Sequence, residues 1–169
     1  MDIILASQSP RRRELLERMG LAGFRVVSPD VDEHMEEDLP PAQLVCRLSQ
    51  RKARAVREQV GDEGLIIAAD TVVALDGTVL GKPADELAAF KMLSTLSGVR
   101  HQVYTGLTVL RGGEEHTEYE VTDVSFRELT QGEIEDYIRT GEPMDKAGAY
   151  GIQGYGALFI SGIQGDYYN

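Results

Sequence analysis

A chain of 169 residues, 42% apolar and 27% charged, is long enough to bury a substantial core and ordinary for a globular protein. Its formal net charge of −11 argues against general binding to nucleic-acid polymers or anionic membranes, so clustered cations point to a small, local anion. Cys46 is the only cysteine, which excludes an intrachain disulfide and a cysteine-based zinc site.

The chain opens on a short apolar run, Ile3-Ile4-Leu5-Ala6, with no basic segment before it. The run is too short for a signal peptide or a membrane span, so a cytoplasmic protein is expected. It has the length of a strand, and Ser9-Pro10 then supplies a helix cap followed by proline at the first helical position. Arg11, Arg12 and Arg13 fill the first turn of that helix, where the positive end of the dipole favours acidic side chains. Two readings are open. An anion docks on the helix amides together with Ser7, Ser9 and the arginines, or the arginines run into solvent and pair with Glu14 and Glu17.

The helix is expected to end near Met19-Gly20, and a second strand to cover Phe24 to Ser28. An acidic loop follows to Pro40, in which Asp32 and Glu33 stand directly after the strand and are candidates for a fixed role, whereas Glu36, Glu37 and Asp38 read as solvated. Pro41 opens a long helix to about Gln59 with Leu44, Leu48, Ala53 and Val56 on one face. Cys46 is expected in its core, and Arg51-Lys52 read at this point as ordinary polar-face residues.

Leu65 to Ala69 is an uninterrupted apolar run, the pattern of a central strand covered on both faces, and it ends in Asp70-Thr71. A carboxylate at the end of a buried strand is costly unless it is paired, holds a metal or does chemistry, which makes Asp70 the leading catalytic candidate; the alternative is a turn cap. Val72 to Leu75 and Thr78 to Leu80 form a hairpin around Asp76-Gly77, and Lys82 follows in a loop. The stretch Gly77 to Lys82 is one residue short of a Walker A loop and has Pro83 in place of Ser or Thr.

Asp85 caps a helix to about Leu96, with Leu87, Phe90 and Leu93 or Met92 toward the core. His101 to Leu110 and Glu118 to Leu129 alternate as a long hairpin around Arg111-Gly112-Gly113. His101 and His116 have no metal-ligand spacing and read as structural. Thr130 to Glu133 is a capping box opening a helix to about Thr140. The glycine-rich stretch Asp145 to Gly156 allows close backbone approach to a ligand without matching the dinucleotide fingerprint, and Ala157 to Ser161 is a last strand. Helices and strands alternate and a long hairpin intervenes, so an α/β fold with a mixed, twisted sheet is expected, as one domain over residues 1–169 or a closely joined two-lobed unit.

Ser7-Gln8-Ser9-Pro10-Arg11-Arg12, Asp32-Glu33, Lys52-Ala53-Arg54, Ala69-Asp70-Thr71, Gly81-Lys82-Pro83, His101 to Gly106 and Asp145 to Gly154 together resemble the Maf family of nucleotide pyrophosphatases, in the family's order and over nearly the whole chain. The resemblance implies the fold of the inosine triphosphate pyrophosphatases: an elongated mixed sheet, helices on both sides, a cleft between two lobes, and a homodimer. It implies hydrolysis of a nucleoside triphosphate to the monophosphate and pyrophosphate with a divalent cation, Mg²⁺ or Mn²⁺. Arg11, Thr71 and Gln153 match the positions of the subgroup acting on dTTP and UTP, modified pyrimidine nucleotides being a further substrate class. The sister subgroup acts on methylated guanine nucleotides, whose positive base is well served by Trp stacking, and this chain contains no Trp. Family members continue past Gly165-Asp166-Tyr167 into an apolar segment and a terminal helix, so the chain is expected to be shortened at this end.

On this reading Asp70 is the general base, Glu33 and Asp70 are metal ligands, and Ser7, Ser9, Arg12, Lys52 and Lys82 hold the phosphates. Gln153 matches the N3–H and carbonyl pattern shared by uracil and thymine. The alternative from a different class is a nucleotide-binding regulator of cell division and septum formation without turnover; a pure binder has no need of Asp70.

Overall fold

The computed structural model describes residues 2–31, 39–62 and 64–169. The described residues form a mixed α/β fold around one seven-stranded sheet, with strand order β2-β1-β3-β5-β6-β7 and β4 paired to β3. Its strands are β1 (Ile3–Ala6), β2 (Arg25–Val26), β3 (Leu65–Leu75), β4 (Thr78–Leu80), β5 (Arg100–Arg111), β6 (Glu114–Phe126) and β7 (Ile160–Gln164). The helices are α1 (Pro10–Arg18), α2 (Pro41–Val60), α3 (Glu86–Leu96) and α4 (Gln131–Arg139). None of them is long and apolar enough to cross a membrane.

The chain divides into two compact units, Met1–Asp70 with Thr105–Tyr119, and Thr71–Tyr104 with Glu120–Asn169. In the first, β1 runs parallel to both β2 and β3, Ile4 standing opposite Arg25 on one side and Ile66 on the other. The apolar run of β1 is explained by this central place. Ile4, Ala6, Ile66, Ala68 and Leu110 of the strands form one core with Ala53 and Val56 of α2. Close seating of α2 is permitted by Gly106, where a Cβ would lie 2.3 Å from the Val45 carbonyl oxygen. β2 is shorter than the expected Phe24 to Ser28, since it pairs only with β1 and both its residues are exposed.

Cys46, expected in the core, is half-buried beside Arg47, Arg51, Arg54 and Tyr119, because Leu44, Val45, Leu48 and Ser49 take the inward face of α2. Burial still pushes its thiol pKa up.

The second unit has its own core, made by Val73 of β3, Ala89, Leu93 and Leu96 of α3, Phe126 of β6, and Ile134, Tyr137 and Ile138 of α4. The predicted caps of α3 and α4 form. Asp85 accepts from the Ala88 amide at 2.7 Å, and Thr130 and Glu133 complete the capping box of α4. Glu133 is held down to about pKa 2 by its bond from Arg127, then by the backbone and hydroxyl of Thr130. Leu87, expected inside, is 62% exposed, because the buried stripe of α3 falls on Ala89, Leu93 and Leu96. The last strand lies three residues later than expected, after a 3-10 segment over Tyr155–Phe159 that takes up most of the predicted strand.

His101 is structural, as its spacing suggested. Its Nε2 lies 2.7 Å from the Tyr150 hydroxyl, and its ring meets Phe126 and Tyr150 edge-on. Its Nδ1 lies toward the Val99 backbone without reaching hydrogen-bond geometry, so burial dominates and lowers its pKa to about 4. His116 is exposed and lies 2.9 Å from Glu118.

Candidate active site

The placement of Lys52 begins with how α2 is fastened. Ser49 Oγ lies 2.8 Å from Thr108 Oγ1, which in turn lies 2.9 Å from Thr117 Oγ1. Gln50 donates to Thr117, and Arg54 makes two 2.8 Å bonds to Glu115, which raise its guanidinium pKa. With these ties on the outer and inner faces, Lys52 projects from a fixed helix into a buried position, not from a solvated face as its neighbour Arg51 does. Its ammonium donates to Asp70 Oδ1 at 2.5 Å, with the two side chains 7% and 12% exposed.

Asp70 does not end a strand. β3 runs unbroken through it to Leu75, because Val73 to Leu75 continue the ladder with β4 and Lys52 supplies the charge that lets a carboxylate sit inside. The hydrogen-bond partner of the preceding residue connects this pair to α1. Arg12 Nη1 donates to the Ala69 carbonyl at 2.7 Å and to Ser7 Oγ at 3.3 Å, and Ser7 Oγ also accepts from the Ser9 amide at 3.1 Å. Ser7 is buried, both its lone pairs are engaged, and its hydroxyl proton has no acceptor among the described residues. A buried hydroxyl in that state is a donor awaiting an acceptor.

Ser7, Ser9, Arg12, Lys52 and Asp70 are thus brought into one network of the first unit. Two cationic side chains, Arg12 and Lys52, stand in it with the carboxylate of Asp70, in a protein whose formal charge is −11. The two readings of the arginine triplet divide by residue. Arg13 pairs with Glu17 and Arg18 with Glu14 along the exposed helix. Arg12 turns inward, and Arg11 stays exposed with no hydrogen bond or ion pair to a described residue. Ser9 occupies the cap position in extended conformation, yet its hydroxyl makes no capping bond.

Thr71, Lys82 and Gln153 belong to the second unit. Thr71 is half-buried in β3, while Lys82 and Gln153 are exposed. The residue after Ala147 fits against β3: Gly148 has φ +67, its amide donates to the Gly81 carbonyl next to Lys82, and a Cβ there would lie 2.9 Å from Val73. Gln153 lies in a loop, Gly151 to Gly156, that is pinned at both ends. The Gly151 amide donates to the Tyr137 hydroxyl at 3.3 Å, and that hydroxyl donates to Glu142 Oε1 at 2.8 Å. Glu142 also accepts from the amides of Tyr155 at 3.0 Å and Gly156 at 3.2 Å. Burial alone raises the Glu142 pKa, but these three bonds and the nearby Lys146 charge outweigh it and hold the group below the usual range. Sequence reading passes over Glu142. The signal available is a carboxylate placed directly after Gly141, whose φ of +76 turns the chain back over α4.

Glu33 lies outside the described residues, so the described metal-ligand candidate is Asp70. The described residues contain no group of three or more His, Cys, Asp or Glu side chains that forms a protein cage for a metal. A single carboxylate oxygen is the donor set of a cation carried mainly by substrate phosphates and water, and Asp70 fits that type of site.

The family model described as Maf-like protein matches residues 2–169. The chain is 53% identical over 168 residues to a protein of Symbiobacterium thermophilum named dTTP/UTP pyrophosphatase, covering 99% of this chain and 86% of that one. It is 51% identical over 167 residues to a protein of the same name from Thermococcus kodakarensis, covering 99% and 88%. Its fold resembles the solved HAM1 protein of Coxiella burnetii, with a TM-score of 0.54 over 75% of this chain and 73% of that one at 17% identity.

Proposed function

The chain belongs to the Maf-like family, and from that premise we propose that it hydrolyses UTP and dTTP to the monophosphate and pyrophosphate with the help of a divalent cation. Relatives about half identical over nearly the whole chain make it a nucleoside triphosphate pyrophosphatase. The observation that carries the chemistry is the buried Lys52–Asp70 pair, tied through Ala69 to Arg12 and Ser7.

A triphosphate brings negative charge that suits the cations of this network. We assign its phosphate oxygens to Lys52, Arg12, Ser7 and Ser9 of the first unit, and keep Lys82 of the second unit as a further phosphate-binding candidate. Once phosphate oxygens draw on the Lys52 ammonium, the Asp70 carboxylate is released from its one described partner and accepts a proton from the attacking water. The water oxygen bonds to phosphorus, the α–β phosphoanhydride bond breaks, and pyrophosphate leaves with the charge that the cations offset. Asp70 and Glu33 are the residues that would hold Mg²⁺ or Mn²⁺, which would supply Lewis-acid polarisation of the phosphoryl oxygens. To Gln153 we assign reading of the pyrimidine edge, and to Arg11 and Thr71 a share in substrate choice.

The test is product analysis by phosphorus NMR after incubation with UTP, dTTP and other nucleoside triphosphates, with either cation. UMP and pyrophosphate are expected from UTP, and Asp70→Asn is expected to lose at least about 100-fold in kcat. UDP and orthophosphate place the cut at the other anhydride and refute the assignment. Tight nucleotide binding without turnover of any substrate makes the protein a binder.

A further inference from the structure

A glutamine carboxamide is a poor discriminator by itself. It can turn over and present either its oxygen or its nitrogen to the same ligand atom, so it matches the N3–H of uracil and the unprotonated N3 of cytosine equally well. Selectivity between the two needs groups that cannot exchange places, and the backbone of the loop that carries Gln153 is such a set. We infer that Glu142 is the positioning residue for pyrimidine selectivity: its carboxylate holds the Gly151 to Gly156 loop in one register, fixing where Gln153 and its neighbouring peptide groups stand. The inference rests on the assignment of Gln153 to base reading.

The geometry is specific to a carboxylate. Oε1 accepts from the Tyr137 hydroxyl and the Gly156 amide, and Oε2 from the Tyr155 amide. Tyr137 extends the clamp to Gly151, so anchors stand on both sides of Gln153. The loop closes on the carboxylate only because two glycines leave room. A Cβ at Gly154 would lie 2.4 Å from Glu142 Oε2, and one at Gly156 would lie 2.7 Å from the Gly151 carbonyl oxygen. The carboxylate is itself placed from behind, as the Lys146 ammonium donates to the Glu142 carbonyl at 2.8 Å. All of these groups belong to the second unit, and the hydrolytic network contains none of them.

Glu142→Gln keeps size and shape but puts an NH₂ group opposite either the Tyr155 amide or the Gly156 amide, so one donor faces another whichever way the new side chain turns. The ratio of kcat/KM for UTP to that for CTP is expected to fall about tenfold, mainly through KM, because the loop no longer excludes the cytosine pattern. Tyr137→Phe keeps both amide bonds and loses the Gly151 anchor, and is expected to lower the same ratio about threefold. Gln153→Ala is measured alongside. A fall with Gln153→Ala and no fall with the Glu142 and Tyr137 variants overturns the inference and leaves base reading by Gln153 standing. An unchanged ratio with Gln153→Ala overturns base reading itself. Equal losses on UTP and CTP in the Glu142 variant make its role purely structural and also overturn the inference. If Glu142→Gln fails to fold, the Tyr137→Phe ratio decides.

Discussion

The Lys52–Asp70 pair makes a quantitative prediction that is separate from turnover. At 2.5 Å and an effective dielectric of about 20, the two charges attract by about 7 kcal/mol. Taking each ion out of water costs several kcal/mol, so the intact pair contributes little net stability. Removal of one partner is another matter: it breaks a buried charge pair from one side, at a cost of about 3–5 kcal/mol. Lys52→Met and Asp70→Asn are each expected to lower the unfolding free energy by about 3 kcal/mol, a loss that a domain stable by about 5–15 kcal/mol tolerates. The double variant removes both charges together and is expected to lose only about 1 kcal/mol, giving a coupling energy near about 5 kcal/mol. Urea denaturation at pH 7 measures all four proteins, and repetition in 1 M salt is expected to leave the coupling intact, since buried pairs are weakly screened. Additive losses, within about 0.5 kcal/mol, refute the argument that these two groups neutralise one another inside the folded chain.

His101 titrates at about 4 when folded against 6.5 for an ordinary histidine, so the unfolded chain binds more protons between those values and stability falls with acid. A loss of about 2 kcal/mol between pH 7.5 and pH 5 is expected by urea denaturation, and His101→Asn is expected to flatten that slope; an unchanged slope assigns the acid sensitivity elsewhere. Gly106→Ala is expected to destabilise by about 2–3 kcal/mol in thermal unfolding, because its Cβ meets the α2 backbone, whereas Gly113→Ala, with nothing within 4 Å, stays within about 0.5 kcal/mol. Ser9→Ala is expected to cost little stability, since its hydroxyl caps nothing, while Asp85→Ala loses about 1 kcal/mol. A raised KM for the Ser9 variant at unchanged melting temperature assigns its hydroxyl to phosphate binding, and an unchanged KM removes that role.

What was readable in advance followed from local chemistry. The Asp85 cap, the Thr130–Glu133 capping box and the Asp76-Gly77 turn each satisfy their own backbone within a few residues, and each stands where the sequence puts it. The α/β class followed from the alternation of apolar runs. The length of β3 was not legible, because Asp70-Thr71 breaks the apolar run and the charge that compensates Asp70 comes from Lys52, 18 residues earlier. For the same reason Lys52 looked like a surface residue beside Arg51. The split of the arginine triplet depends on the Ala69 carbonyl, a backbone group that no side-chain pattern reveals. Leu87 and Cys46 lie off the buried stripes of their helices, which fall on Ala89, Leu93 and Leu96 in α3 and on Leu44, Val45, Leu48 and Ser49 in α2.

Each of the two units has a core of its own behind the residues assigned to it. The residues assigned to phosphate chemistry in the first unit are braced by Ala53, Val56 and their strand partners, and the loop assigned to the base is braced by Tyr137, Phe159 and the core around them. Drift in the second core can therefore retune which nucleotide is accepted while the bond-breaking apparatus keeps its packing. Such a division gives a lineage freedom to diversify in substrate without reinventing its reaction. Grafting residues 137–156 between relatives of different preference is the laboratory counterpart of that history.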